Sequence, residues 1–87
     1  MAARKKPTQE RSRQTVEAIL EATRIVVARG GIDGLRVAQV AEVAGVSVGS
    51  LYQYFPTREA LLTAWEETSF ESLVAAAVRR SQEMDEA

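Results

Sequence analysis

Two short amphipathic segments joined by a glycine turn stand out in the pattern of apolar and polar positions. In the first segment, four small apolar residues recur at the spacing of one helical face: Val37, Val40, Ala41 and Ala44. Gly45 follows at once, and glycine readily adopts the left-handed conformation that ends a helix. Ser47 can cap a second helix, whose Leu51 and Phe55 lie four residues apart on its inner face. The pattern predicts a helix-turn-helix at about residues 36–55.

The flanking segments predict two longer helices. The first should run from about Gln9 to Ala28, with a buried stripe made of Val16, Ile19, Leu20, Thr23 and Val27. Pro56 should end the second helix of the motif, because proline cannot continue the helical hydrogen-bond ladder. Thr57 fits the N-cap of a last helix that extends to roughly Arg80. No segment has the alternation of a strand, so the predicted fold is all-α: a three-helix, homeodomain-like helix-turn-helix domain plus a long fourth helix.

Beyond the predicted core, the fourth helix carries a further apolar series. Its members follow the spacing of one helical face: Phe70, Leu73, Val74 and Ala77. They lie too far along the helix for the three-helix unit to cover them. An apolar stripe of this kind usually marks a missing partner, so we expect the distal half of the helix to pack against another domain or a second chain.

The composition argues against several kinds of site. There are no cysteines and no histidines, which removes thiolate and imidazole metal ligands and the usual catalytic base and nucleophile. We therefore expect no catalytic residue, no metal and no cofactor. No apolar run approaches the roughly 18 residues of a membrane span, and no signal-peptide core follows the basic start. The expected protein is cytoplasmic, is not an enzyme and has no membrane partner.

The charges are unevenly distributed along the chain. Residues 1–58 hold nine basic and five acidic side chains, whereas residues 59–87 hold two basic and seven acidic ones, within a formal net charge of −1. This asymmetry suggests that the first part meets a polyanion, although a solvated tag-like N-terminus beside an acidic helix remains the alternative. Residues 1–8 fit a flexible basic arm, whose Arg4, Lys5 and Lys6 either reach DNA or are simply disordered.

The outward face of the second motif helix is small, uncharged and rich in hydrogen-bonding groups. The major groove of DNA is about 12 Å wide and accepts one α-helix, so this face can enter it. Gly49 permits close backbone approach, Val48 can meet a thymine methyl group and Ser50 can bond to several base edges. The predicted base or groove contacts are Val48, Gly49, Ser50, Tyr52 and Gln53. A helical corner without a ligand remains the alternative.

Phosphate contacts are expected around this face. The free amides and positive end of the fourth helix form an anion site at Thr57, and Arg58 adds a charge to it. Gln39 can reach the DNA backbone or remain solvated, and Tyr54 can do so or stack on the start of the fourth helix. The predicted phosphate contacts are Arg36, Gln39, Ser47, Tyr54, Thr57 and Arg58.

Five short stretches carry a resemblance to a known family. They are ILEA at 19–22, RGG at 29–31, VAQVAEVAGVS at 37–47, SLYQYF at 50–55 and TREALL at 57–62. In this order and spacing, the run from Arg13 to Trp65 resembles the N-terminal DNA-binding domain of the tetracycline-repressor (TetR) family of bacterial transcription regulators. One departure is Arg36, where the family usually has a threonine that caps the helix and can touch a phosphate. Because arginine cannot cap, this helix should start less sharply.

The resemblance implies a sequence-specific DNA-binding domain, most often of a repressor. It implies a homodimer on a palindromic operator in double-stranded DNA, released when a small-molecule effector binds a larger C-terminal domain. Residues 9–65 would form the DNA-binding domain, and residues 66–87 would lead to a missing ligand-binding and dimerisation domain. We therefore expect a fragment of a longer protein or a natural short relative. The alternative is a small helical protein-interaction adaptor, although the basic arm and Arg58 favour DNA.

Overall fold

Four α-helices make up the computed structural model of the chain. They are α1 (Pro7–Gly30), α2 (Val37–Ala44), α3 (Val48–Tyr54) and α4 (Arg58–Asp85). The structure describes residues 7–85, and the side chains of residues 9–82. Within that range no strand is present, which confirms the all-α prediction. Most of the predicted arm, including Arg4, Lys5 and Lys6, lies outside the described residues.

The two long helices extend further than the sequence predicted. Helix α1 begins at Pro7 rather than Gln9 and ends at Gly30, so the last two residues of the predicted arm are helical. Proline is tolerated in the first turn because its missing N–H would have no helical partner there. Helix α4 continues past Arg80 to Asp85.

The core lies where α1, α2, α3 and the first turns of α4 meet. Its buried apolar residues are Ile19, Ala22, Val26, Leu35, Val37, Val40, Ala41, Leu51, Phe55 and Leu61. Thr23 is also fully buried, and its hydroxyl donates to the carbonyl of Ile19 at 2.8 Å, so this polar group is satisfied. In the predicted stripe of α1, Val16, Leu20 and Val27 are only partly buried. The centre of the buried face is formed by two predicted residues, Ile19 and Thr23, together with Ala22 and Val26, which the prediction did not include.

Glycine and serine fix the turn between α2 and α3 as predicted. Gly45 has φ 77° and ψ 28°, the left-handed conformation, and its N–H bonds back to α2. The next amide, that of Val46, donates to Ala41 at 3.0 Å and completes the helix end. Ser47 then begins α3 by accepting the N–H of Ser50 at 3.0 Å. The helix-turn-helix prediction is confirmed.

The distal half of α4 extends beyond this core. Its apolar side chains are exposed in the single chain: Phe70 by 66%, Leu73 by 68%, Val74 by 44% and Val78 by 51%. Trp65, half-buried at the point where α4 leaves the core, forms with Leu20 and Leu73 part of the lining of an open groove of about 520 Å³ between α1 and α4. None of the helices within residues 7–85 combines the length and the apolar character that crossing a membrane requires.

Candidate nucleic-acid interface

Helix α3 is anchored in the core on one side and is accessible to solvent elsewhere. Its inner residues Leu51 and Phe55 are 0% and 9% exposed, so they anchor the helix in the core. Four of the predicted groove residues are exposed: Val48, in the first turn, and Gly49, Tyr52 and Gln53. Ser50, the fifth, is half-buried. The structure therefore brings the five predicted residues together on one short helix.

Two serines at the start of α3 are hydrogen-bonded to each other. The Ser47 hydroxyl accepts the Ser50 N–H at 3.0 Å and donates to the Ser50 hydroxyl at 2.9 Å. This arrangement leaves the Ser50 hydroxyl proton available to an acceptor outside the chain. Ser47 acts as the cap of α3, and its predicted phosphate contact stays a prediction.

Gly49 occupies a position that the fold itself does not reserve for glycine. A Cβ atom built there would have Ser47 Oγ, 4.0 Å away, as its nearest neighbour, and the φ of Gly49 is not positive. Glycine also costs helical stability relative to alanine. The packing and backbone of the fold therefore give no reason for a glycine here, and the predicted groove contact of Gly49 stays a prediction.

Tyr54 is directed towards α1. Its side chain is 36% exposed, and its hydroxyl lies 3.4 Å from the Ser12 hydroxyl, to which it donates a long hydrogen bond. The sequence predicted that Tyr54 contacts a phosphate or stacks on the start of α4. The hydrogen bond to α1 corresponds to neither. The phosphate contact of Tyr54 stays a prediction.

The start of α4 is capped and turned towards the α1–α2 connection. The Thr57 hydroxyl accepts the N–H of Ala60 at 3.0 Å, which confirms the predicted N-cap. The Arg58 guanidinium donates from Nε to the carbonyl of Leu35 at 3.1 Å and from Nη2 to that of Ile32 at 2.6 Å. Part of the predicted phosphate-binding group is thus already bound to the chain itself.

Helix α2 starts without a side-chain cap. Arg36 occupies the N-cap position in an extended conformation and makes no capping hydrogen bond, as the sequence predicted. The helix nevertheless begins at Val37, and the Arg36 carbonyl accepts the amides of Gln39 and Val40 at 3.0 and 3.1 Å. The side chains of Arg36 and Gln39 are both exposed beside the motif.

Two arginines of α1 are paired with carboxylates of the same helix. Arg13 bonds to Glu10 and Glu17, and Arg24 bonds to Glu21 at 2.6 Å. The hydrogen bond from Arg24 lowers the pKa of the Glu21 carboxyl, and the bond to Glu10 raises the pKa of Arg13. These pairs are exposed, so they contribute little stability but partly neutralise α1. Among the described residues, no group of three or more acidic side chains could hold a metal ion.

Comparison with known proteins places this geometry in context. A family model described as bacterial regulatory proteins, tetR family, matches residues 19–65. The chain is 38% identical over 66 residues to the HTH-type transcriptional repressor KstR of Mycolicibacterium smegmatis, covering 76% of this chain and 32% of the relative. It is 44% identical over 62 residues to the HTH-type transcriptional regulator RutR of Escherichia coli K12, covering 68% and 29%.

The match is confined to one part of these relatives. A third, KstR of Rhodococcus jostii, is 40% identical over 55 residues, which cover 63% of this chain and 26% of that protein. The chain thus spans between about a quarter and a third of the length of these curated relatives. No solved structure gives a significant match.

Proposed function

Because this chain belongs to the tetR family of bacterial regulatory proteins, we propose that it reads a specific DNA sequence by placing α3 in the major groove. The chain is the helix-turn-helix DNA-binding domain of a transcriptional regulator, and regulators of this family are not enzymes.

The observation that carries the proposal is the outward face of α3. Tyr52 is 43% exposed and Val48, at the start of the helix, is 40% exposed, while Leu51 and Phe55 hold the helix in the core. Gly49 leaves the backbone between Val48 and Tyr52 uncovered, although nothing in the fold requires glycine there. A base edge can then approach the first turn, where the Ser50 hydroxyl proton is available. Gln53, one turn further on, adds an amide that can donate and accept.

Phosphate contacts around this face would fix the register of α3 on the duplex. The proposed set is Arg36, Gln39, Ser47, Tyr54, Thr57 and Arg58, together with the arm residues Arg4, Lys5 and Lys6. In this arrangement Arg58 would use Nη1, which makes no hydrogen bond within the described part of the chain. Arg36 and Gln39 would contact the strand that passes the start of α2.

The test is a salt-dependent binding titration. A duplex selected from a random pool and a shuffled duplex of the same length would each be titrated at several salt concentrations. We expect tighter binding to the selected duplex and a linear fall of log K with log salt, whose slope counts the neutralised phosphates. Equal affinity for both duplexes would contradict sequence-specific reading. Failure to bind either duplex would favour the alternative, a helical protein-interaction adaptor.

One chain alone would not complete the regulator. We propose a repressor that acts in the cytoplasm as a homodimer on a palindromic operator and is released by a small-molecule effector. Two of the three relatives are named as repressors. Each of the three is between three and four times as long as the region that matches this chain. A two-fold operator needs two recognition helices about 34–36 Å apart, and one chain supplies a single α3. The exposed stripe of α4 offers apolar surface for the domain that would hold the effector and the second subunit.

A further inference from the structure

Arg58 connects the start of α4 to the turn between α1 and α2. Its Nε and Nη2 donate to the carbonyls of Leu35 and Ile32 at 3.1 and 2.6 Å. Both donors can lie on the same edge of the planar guanidinium, so two bonds fix its orientation as well as its position. The contact spans 23 to 26 residues of sequence. It therefore fixes how two distant elements lie against each other.

The turn that Arg58 binds leads directly into α2. Leu35 is 3% exposed and lies two residues before the start of α2 at Val37. The side chain of Arg36, between them, does not cap the helix. The turn is also tight, because a Cβ atom at Gly34 would lie 3.0 Å from the Gly30 carbonyl oxygen. The start of α2 is thus held by the burial of Leu35 and by the bonds from Arg58, rather than by a cap.

We propose that Arg58 is a positioning residue for DNA recognition: its bridge from α4 to Ile32 and Leu35 sets the orientation of α2 and, through α2, that of α3. The two motif helices share the core through Val40 and Leu51, both 0% exposed, so a shift of α2 moves α3 with it. The role in recognition rests on the proposed function, in which α3 reads the groove. The bridge itself does not.

Two substitutions separate the bridge from the charge. Arg58→Lys keeps the positive charge, but a compact ammonium group cannot donate along one planar edge to two carbonyls. Arg58→Gln removes the charge and also breaks the two-bond bridge, because its amide can donate to one carbonyl only, so it should match the lysine variant in hydrogen exchange. If Arg58 served only as a charge beside DNA, the lysine variant would resemble the wild-type chain. If Arg58 positions α2, the lysine variant loses that function.

Hydrogen exchange of the free protein tests the bridge. The amide of Leu35 donates to the Ile32 carbonyl, and the amides of Gln39 and Val40 donate to the Arg36 carbonyl. These three amides should exchange about tenfold faster in Arg58→Lys. The amide of Val46, at the far end of α2, serves as the internal reference. Arg79→Lys is the matched control, since Arg79 is exposed on α4 and its side chain makes no hydrogen bond within the described residues.

DNA discrimination tests the positioning role. With the selected and shuffled duplexes, at a temperature where every variant is folded, Arg58→Lys should lower the ratio of the two affinities about tenfold, and Arg79→Lys should leave it unchanged. Wild-type exchange and an unchanged ratio in Arg58→Lys would overturn the proposal. A wild-type chain that does not distinguish the duplexes would contradict the proposed function and the positioning role, whereas faster exchange in Arg58→Lys would still establish the bridge.

Discussion

Tyr52 offers a phenol hydroxyl on the open side of α3, one residue beyond the buried Leu51. If that hydroxyl bonds to a base, Tyr52→Phe should weaken binding to the selected duplex by roughly 1–3 kcal/mol and leave binding to the shuffled duplex nearly unchanged. Paired titrations of wild type and variant measure this difference. An equal loss on both duplexes would instead identify Tyr52 as a phosphate contact.

Gly45 and Gly49 are four residues apart and should respond oppositely to substitution. Gly45→Ala forces a side chain into φ +77° and should destabilise the domain by about 1 kcal/mol. Gly49→Ala meets no close neighbour and should stabilise it slightly, because alanine favours a helix. Urea unfolding compares the two free energies.

A larger side chain at position 49 separates folding from binding. Gly49→Leu should keep the far-UV helix signal nearly intact and abolish binding to the selected duplex, since the side chain would occupy the space between α3 and the base edges. Binding at wild-type strength by a folded Gly49→Leu chain would mean that α3 does not approach DNA closely at this point.

Helix α2 lacks the side-chain cap that a threonine at position 36 would supply. Arg36→Thr supplies a hydroxyl for the first free amides of α2 and should raise the free energy of unfolding by about 1 kcal/mol. Ala38→Thr, on the exposed side of the same helix, is the control and should lower it slightly. Equal unfolding midpoints for Arg36→Thr and wild type would show that the start of α2 gains nothing from a cap.

Local signals explain why the ends of the short helices could be predicted. Gly45, Ser47, Pro56 and Thr57 act within one turn of their own position, so the sequence specifies what they do. The burial of Ala22 and the Arg58 bridge depend instead on how separate helices approach each other. The spacing of apolar residues in the sequence does not specify how separate helices approach each other. The outward face of α3 could be predicted because Leu51 and Phe55 identify the buried face.

The core buries the first turns of α4, whereas the apolar side chains of its distal half are exposed. Leu61 is 0% exposed in the core, and the partly buried Leu62 and Ala64 pack against it, so among the described residues the core reaches no further along α4 than Ala64. The groove between α1 and α4 begins just beyond it, beside Trp65, whose buried Nε1 has no hydrogen-bond partner among the described residues. A buried donor without an acceptor costs free energy. An acceptor supplied by a further element at this end of the core would therefore add stability.

Three large side chains of the α4 stripe, Phe70, Leu73 and Val74, and the adjacent Val78 predict how the chain assembles. These side chains are 44–68% exposed in the single chain, so water faces apolar surface over more than two helical turns. We expect the 87-residue chain either to self-associate through this stripe or to fray beyond about Phe70. Sedimentation across a concentration series detects the first outcome, and hydrogen exchange detects the second.

Substitution within the stripe distinguishes association from packing in the core. Phe70→Gln with Leu73→Gln should abolish self-association without lowering the stability of residues 9–65, because neither side chain is part of the core. Glu71→Gln, exposed on the same helix, is the matched control. A single chain should bind one half-site weakly, and a longer chain that pairs two copies should bind a two-fold site far more tightly, since both recognition helices then engage together. Stable helical protection of residues 70–80 in a strict monomer would contradict the need for a partner on this stripe.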